Sequence, residues 1–212
     1  MTEKVAIFEI LTGKINLQVH FLMLSARKSR CTLRGMNTLQ TAISTLEPMV
    51  VAHAPEMFEV LSDPAIYEFE NEPPPSVQRL ADGYARRETR VSPDGCDRWL
   101  NWAIRLRTGE LAGYVQATVL ASGASYIAYE LSSRFWRRGI GSAAVTAMMS
   151  ELASHYQVHT FVAVLKTANF RSVALLTHLG FAPGSVAQMA EFEAEADERL
   201  MVRPAALGAI SQ

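Results

Sequence analysis

The chain has 212 residues, long enough to bury one full core, and nothing in it requires two domains. Twenty basic against 21 acidic side chains leave it near neutral, without the basic excess of a general nucleic-acid binder. Cys31 and Cys96 stand far apart without ligand-like spacing, which argues against a disulfide framework or zinc site and for a reducing, cytoplasmic setting.

Residues 5–11, a Thr12-Gly13-Lys14 turn and residues 15–24 are expected to form a hairpin. No run reaches the ~18 apolar residues of a membrane span, so no membrane partner is expected. Residues 15–24 also lack the basic region and cleavage pattern of a secretory signal. Residues 1–35 end in a basic run and form an N-terminal extension, either a genuine extra element or a mis-assigned start. Everything recognisable falls in 36–212, read as one domain.

Residues 39–51 are mixed, with Pro48 breaking the pattern. Helical spacing then appears over 54–61, with Pro55 suited to a first turn and Ser62-Asp63-Pro64 ending it. An acidic, aromatic loop, Tyr67 to Glu72, runs into Pro73-Pro74-Pro75, and residues 77–90 read as a second helix. Strands are expected at 99–106, 111–120 and 126–131, separated by Thr108-Gly109 and Ser122-Gly123 turns. A helix over 141–156, a buried strand over 160–165, a helix over 169–179 capped by Gly180, and a last strand over 199–203 complete the chain. This order indicates an α/β fold: a mixed, mostly antiparallel central sheet flanked by helices on both faces. His155 and His159 are four apart, but Tyr156 stands where a zinc-protease helix needs Glu; they read as ordinary polar residues, and no metal is expected.

The most informative stretch is Arg134-Phe-Trp-Arg-Arg-Gly-Ile-Gly-Ser142, a basic turn between the strand ending at Leu131 and the next helix. A helix N-terminus offers unpaired N–H groups and the positive end of a dipole. Gly139 and Gly141 leave that backbone uncovered, and Arg137 and Arg138 add charge, so the turn reads as a phosphate or pyrophosphate site. A plain strand-to-helix turn is the alternative.

Tyr129 to Ala143 resembles the acyl-CoA-binding motif of the GNAT superfamily of N-acetyltransferases, Q/R-x-x-G-x-G/A, with Trp136 where many members carry Gln or Arg. Asn169-Phe-Arg-Ser172, followed by a helix ending in Leu179-Gly180-Phe181, is similar to the superfamily's second signature at a fitting spacing. The resemblance covers about 38–204. The aromatic Trp136, Leu46-Glu47-Pro48 and residues 197–203 are similar to the RimJ/RimL-type branch of ribosomal-protein-alanine acetyltransferase-like proteins.

This resemblance implies that acetyl-CoA is the acyl donor. Backbone N–H groups of Arg137, Arg138, Gly139, Ile140, Gly141 and Ser142, with Ala143, would hold its pyrophosphate. Strand edges around Leu131 and Ser133 would pair with pantetheine, and Asn169 would meet nearby cofactor groups. The backbone of Leu131 or Ser132 would meet the oxyanion of the tetrahedral intermediate. Glu130 is the candidate base, acting through water, with a structural hydrogen bond or salt bridge as its alternative role. Glu130 and Tyr129 point to opposite sheet faces, of which one meets the acceptor.

The superfamily's usual Tyr acid falls at Leu176, so that acid is missing; Ser172 is the substitute donor, or a helix-stabilising hydroxyl. Tyr67, Glu68, Phe69 and Glu70 would line the acceptor pocket for an amine, with a solvated acidic loop as the alternative. The expected function is direct acetyl transfer to a primary amine, of a protein N-terminus or a small molecule. A non-catalytic acyl-CoA sensor is the second reading, and a homodimer is compatible with either.

Overall fold

The computed structural model describes residues 35–205, so the hairpin expected within 5–24 lies outside the described residues. The strands are β1 (Leu39–Gln40), β2 (Ser44–Pro48), β3 (Arg98–Leu106), β4 (Leu111–Val119), β5 (Ala124–Leu131), β6 (Thr160–Lys166), β7 (Ala182–Pro183) and β8 (Glu198–Pro204). The α-helices are α1 (Ala54–Leu61), α2 (Val77–Arg87), α3 (Ile140–His155), α4 (Phe170–His178) and α5 (Val186–Glu191). All eight strands form one sheet in the order β1-β2-β3-β4-β5-β6-β8-β7. Every neighbouring pair is antiparallel except β5 and β6, as the expected mixed, mostly antiparallel sheet requires.

Strand alternation assigns side chains to the two faces. On one face Trp102, Ile104, Ala117 and Phe161 pack with Ile140, Val145, Met148 and Leu152 of α3 and Leu176 of α4. On the other, Ala103, Leu111 and Tyr114 meet Ala54, Met57 and Leu61 of α1 and Leu80 and Tyr84 of α2. Burying these apolar surfaces, at roughly 25 cal/mol per Å², is the main force holding the layers together.

Local signals fix most helix starts. Pro55 sits in the first turn of α1, the Ser76 hydroxyl accepts the Arg79 N–H at 3.1 Å at the start of α2, and Asn169 Oδ1 accepts the Ser172 N–H at 3.0 Å in α4. Three stretches depart from the sequence reading. The mixed segment 39–51 contains β1 and β2, and Pro48 ends β2 opposite Trp102 beyond the reach of two-residue β1, where its missing N–H costs no ladder bond. Helix α2 stops at Arg87, three residues early. The stretch after Gly180 holds β7 and α5, the latter started by a Ser185–Gln188 capping box.

Candidate active site

Strands β5 and β6 pair only at Ala124–Thr160, Ser125–Phe161 and Tyr126–Val162, yet β5 continues to Leu131 and β6 to Lys166. Beyond Tyr126 the two strands diverge and a cleft opens through the sheet. The register of β4 against β5 tells which backbone groups face it. Leu120 N–H bonds Ala124 C=O and Ser132 N–H bonds Ala112 C=O, both at 2.9 Å, so the even-numbered residues of β5 exchange bonds with β4. Ile127, Tyr129 and Leu131 therefore turn their N–H and C=O away from β4; the Ile127 N–H closes the last bridge to Val162, and Tyr129 and Leu131 beyond it present an open edge of the kind an extended ligand can pair with.

At the end of β5 the chain is pinned from the opposite layer. Asp63 Oδ2 accepts the Ser133 N–H at 2.7 Å and the Ser132 hydroxyl at 3.2 Å, while Oδ1 accepts Ala65 N–H at 3.1 Å. Burial would raise the Asp63 carboxyl, but these hydrogen bonds outweigh it and hold the group below its usual value. The N–H groups of Ser132 and Ser133, expected to serve the ligand, are thus committed to Ala112 and Asp63. Leu131 C=O accepts the Trp136 indole N–H at 2.7 Å, which leaves the Leu131 N–H as the cleft-facing group.

The basic turn follows. Arg137 (φ 58°) and Gly139 (φ 75°) are both left-handed, which curls the backbone around the start of α3. A Cβ on Gly139 would meet no protein atom, so its surroundings are open. Arg137, Arg138 and Gly139 are exposed. Ile140, Gly141 and Ser142 stand in the first turn of α3, whose first N–H groups have no intrahelical acceptor. Ala143 N–H already bonds Gly139 C=O at 3.0 Å and belongs to the helix ladder.

Glu130 lies on the α1/α2 face, directly opposite Tyr114 of β4, and is partly accessible from the cleft. Burial pushes its carboxyl up to about 7, with Glu70 adding to the rise, while a hydrogen bond from Tyr114 and the charge of Arg87 oppose it. Glu70 is likewise pushed up to about 7 by burial, opposed by Lys166 and reinforced by Glu198 and Asp197. Tyr84 and Arg87 complete this polar cluster, and the Tyr84 hydroxyl and Arg87 Nη2 have no hydrogen-bond partner among the described residues. The Tyr67 hydroxyl donates to Leu61 C=O at 2.8 Å, and burial raises its phenol well above the ordinary value.

The opposite wall carries Asn169, Ser172 and Tyr129. Tyr129 packs on the α3/α4 core, with its hydroxyl 3.5 Å from Ser172 C=O. Leu176 is fully buried one turn on. Arg171 bridges the mouth: its guanidinium bonds Glu68 at 2.6 Å and lies 4.7 Å from the centroid of Trp136, 5.0 Å from Phe170 and 5.4 Å from Phe69. Of the four expected acceptor residues, Glu68 and Phe69 are therefore bound into this clasp and Tyr67 is tied to α1, while Glu70 shares the electrostatic field of Glu130. His155 pairs with Glu151 at 3.0 Å and His159 contacts Ser122 C=O at 2.9 Å, both away from the cleft.

Sequence reasoning did not assign Asp63, Arg87, Tyr114 or Tyr129 to the site. Alternation from Glu130 along β5 and across to β4 gave access to Tyr129, but Asp63 and Arg87 arrive from the turn after α1 and the end of α2 with no sequence signal.

A sheet that splays beside a left-handed, glycine-containing turn and a helix N-terminus is the arrangement that the resemblance to the GNAT acyltransferases leads one to expect. Residues 44–182 match the profile of the acetyltransferase (GNAT) domain, and the chain belongs to this acyltransferase family. No curated protein matches the sequence. Among solved structures it is similar to RimL, the ribosomal L7/L12 alpha-N-protein acetyltransferase in complex with coenzyme A, at 18% identity and TM-score 0.67, covering 79% of this chain and 98% of that one. The Salmonella typhimurium acetyltransferase that modifies the N-terminal serine of ribosomal protein L7/L12 gives 19% and 0.66, covering 79% and 99%. Mycobacterium smegmatis RimJ in complex with a CoA-disulfide gives 19% and 0.65, covering 80% and 88%.

Proposed function

We propose that this protein transfers the acetyl group of acetyl-CoA to a primary amine by direct attack, with Glu130 as the base. The divergence of β5 from β6 after Tyr126 carries this reading, because it opens a strand edge that leads straight into the Arg137–Ser142 turn. The pyrophosphate would rest on the backbone of Arg137 to Ser142, beside Arg137 and Arg138, and pantetheine would pair with Tyr129 and Leu131. Asn169 would flank it from the first turn of α4.

Amines reach the site mostly protonated, since α-amino groups titrate near ~8 and lysines near ~10. A carboxylate poised at about 7 suits removal of that proton. Poised there, it is basic enough to take the proton directly or through one water. Glu70 supplies further negative field for a cationic acceptor. The Tyr129 N–H, the next cleft-facing donor along β5 from the pantetheine-pairing Leu131 N–H, would meet the oxyanion of the tetrahedral intermediate. The RimL-type neighbours act on ribosomal-protein N-termini, which makes a protein α-amine the first acceptor to assay, with small amines alongside.

Calorimetric titration with acetyl-CoA tests the donor site. Gly141 is the right control position, because a Cβ there meets only Leu175 at 3.6 Å and the fold tolerates it. Wild type should bind at micromolar strength, and Gly141→Glu should lose binding by at least about 100-fold, through charge repulsion and blockage of the cradle. Absence of binding in the wild type would refute the reading.

A further inference from the structure

The leaving group of this reaction presents an unmet requirement. When the tetrahedral intermediate collapses, the C–S bond breaks and its electron pair stays on sulfur as the CoA thiolate. That charge would develop between β5 and α4, beside buried Leu176 and half-buried Tyr129, where an unpartnered anion is costly. Leu176 offers no hydroxyl, and its side chain is buried in the core. Glu130 is on the other face of β5 and is already engaged with the amine proton.

We propose that the Tyr129 hydroxyl, carried from the open edge of β5 to the first turn of α4 beside Ser172, is the hydrogen-bond donor that stabilises the leaving thiolate. This rests on the acetyl-transfer reading above. Three observations carry it. The backbone of Tyr129 lies on the cleft-facing edge of β5, so its side chain springs from the wall where the donor would lie. Tyr129 points to the α3/α4 face and Glu130 to the α1/α2 face, which puts donor and base on opposite sides of the acyl carbon. The hydroxyl is held only weakly where it stands, 3.5 Å from Ser172 C=O, a length at which it is free to prefer a better acceptor.

Proton affinities decide how it acts. Burial pushes the Tyr129 phenol up to about 12, opposed by the neighbouring Ser172 hydroxyl. A CoA thiol near ~8.5 is more acidic by roughly 3.5 units, a factor on the order of 10³, so full proton transfer from tyrosine to sulfur is uphill. Tyr129 therefore keeps its proton and shares it in a charge-assisted O–H···S bond, with Ser172 as a second donor. Glu130 passes the ammonium proton to solvent before attack and then takes the second proton from the nitrogen of the tetrahedral intermediate; the new C–N bond replaces C–S, and CoA departs as the thiolate, which solvent later protonates.

The test compares wild type with Tyr129→Phe, which keeps the ring and its packing, and Ser172→Ala, which perturbs the core least. The ultraviolet absorbance of the thiolate gives the thiol pKa of bound CoA in each protein, beside kcat and acetyl-CoA affinity. Tyr129→Phe should raise the bound thiol pKa by about one unit and lower kcat about tenfold with unchanged acetyl-CoA affinity, and Ser172→Ala should do less. A bound thiol pKa that is the same in wild type and Tyr129→Phe overturns the proposal while leaving acetyl transfer intact. Failure of the wild type to bind CoA overturns the transfer reading and this inference together.

Discussion

Replacing Glu130 by Gln keeps the side chain's shape but removes its charge, so it separates what the carboxylate contributes to chemistry from what its burial costs the fold. The carboxyl moves from an ordinary 4.5 to about 7, chiefly through loss of hydration. That difference corresponds to about 3 kcal/mol favouring the protonated form, and partial access from the cleft reduces it to about 2 kcal/mol. Because the folded-state value is the higher one, the folded protein binds more protons than the unfolded chain between about pH 4.5 and 7. The stabilising contribution is thus fully present below the unfolded value and lost as pH rises through 7.

Glu130→Gln lacks this slope. Its stability relative to wild type should improve by about 2 kcal/mol between pH 4.5 and pH 8, measured by urea unfolding at both ends. Glu70 shifts in the same direction in both proteins, so its contribution largely cancels from the comparison. Over the same range, wild-type kcat should fall on the acid side with an apparent pKa near 7. The variant should lose that limb and about 10²-fold or more in rate, measured by free-thiol release. Any limb near ~8 belongs to the acceptor's own α-amine and survives. Parallel stability curves, or an acid limb near 7 that persists in Glu130→Gln, would refute the assignment of the base and of its burial.

Close contacts around the same strand end are open to similar tests. Gly113 has φ 155°, and a Cβ there would overlap the Glu130 carbonyl oxygen and lie 2.8 Å from Leu131 Cα, so Gly113→Ala should cost about 3 kcal/mol or more in urea unfolding. Wild-type stability in that variant would mean that β4 and β5 do not approach as described. Asp63→Asn should weaken the tie to Ser132 and Ser133 by about 1–2 kcal/mol and lower acetyl-CoA affinity in calorimetry, because this carboxylate holds the entry to the basic turn. Since the Asp63 value is lowered in the fold, its contribution is present above the unfolded carboxyl value and is lost as pH falls through the folded one; Asp63→Asn should flatten that acid loss.

The local alphabet of this protein determined much of what it is. The alternating runs that became β3, β4 and β5, and the Gly139-x-Gly141 turn before an apolar-faced helix, are short-range patterns whose physics is complete within a few residues. Asn169 in front of α4 is equally local, because a cap needs only the next turn of its own helix. Strands β1 and β2 were illegible because a two-residue strand and a proline-terminated one have too few positions to show a period.

The site was decided elsewhere. Whether Glu130 met a helix layer or the cleft, and how far burial lifted its carboxyl, depended on Tyr114, Arg87 and Glu70 arriving from three other segments. The N–H groups of Ser132 and Ser133 are bonded to Ala112 and to Asp63, the latter seventy positions away. Tyr129 came within reach of the proposed chemistry only when α4 packed beside it. Backbone conformation is largely set by neighbours along the chain, whereas the free energy of a charge or an unpaired hydroxyl is set by whatever surrounds it in space. For that reason the sequence carried the family and its glycine-containing turn, and only tertiary packing chose which backbone groups stayed open and which carboxylate was poised near neutrality.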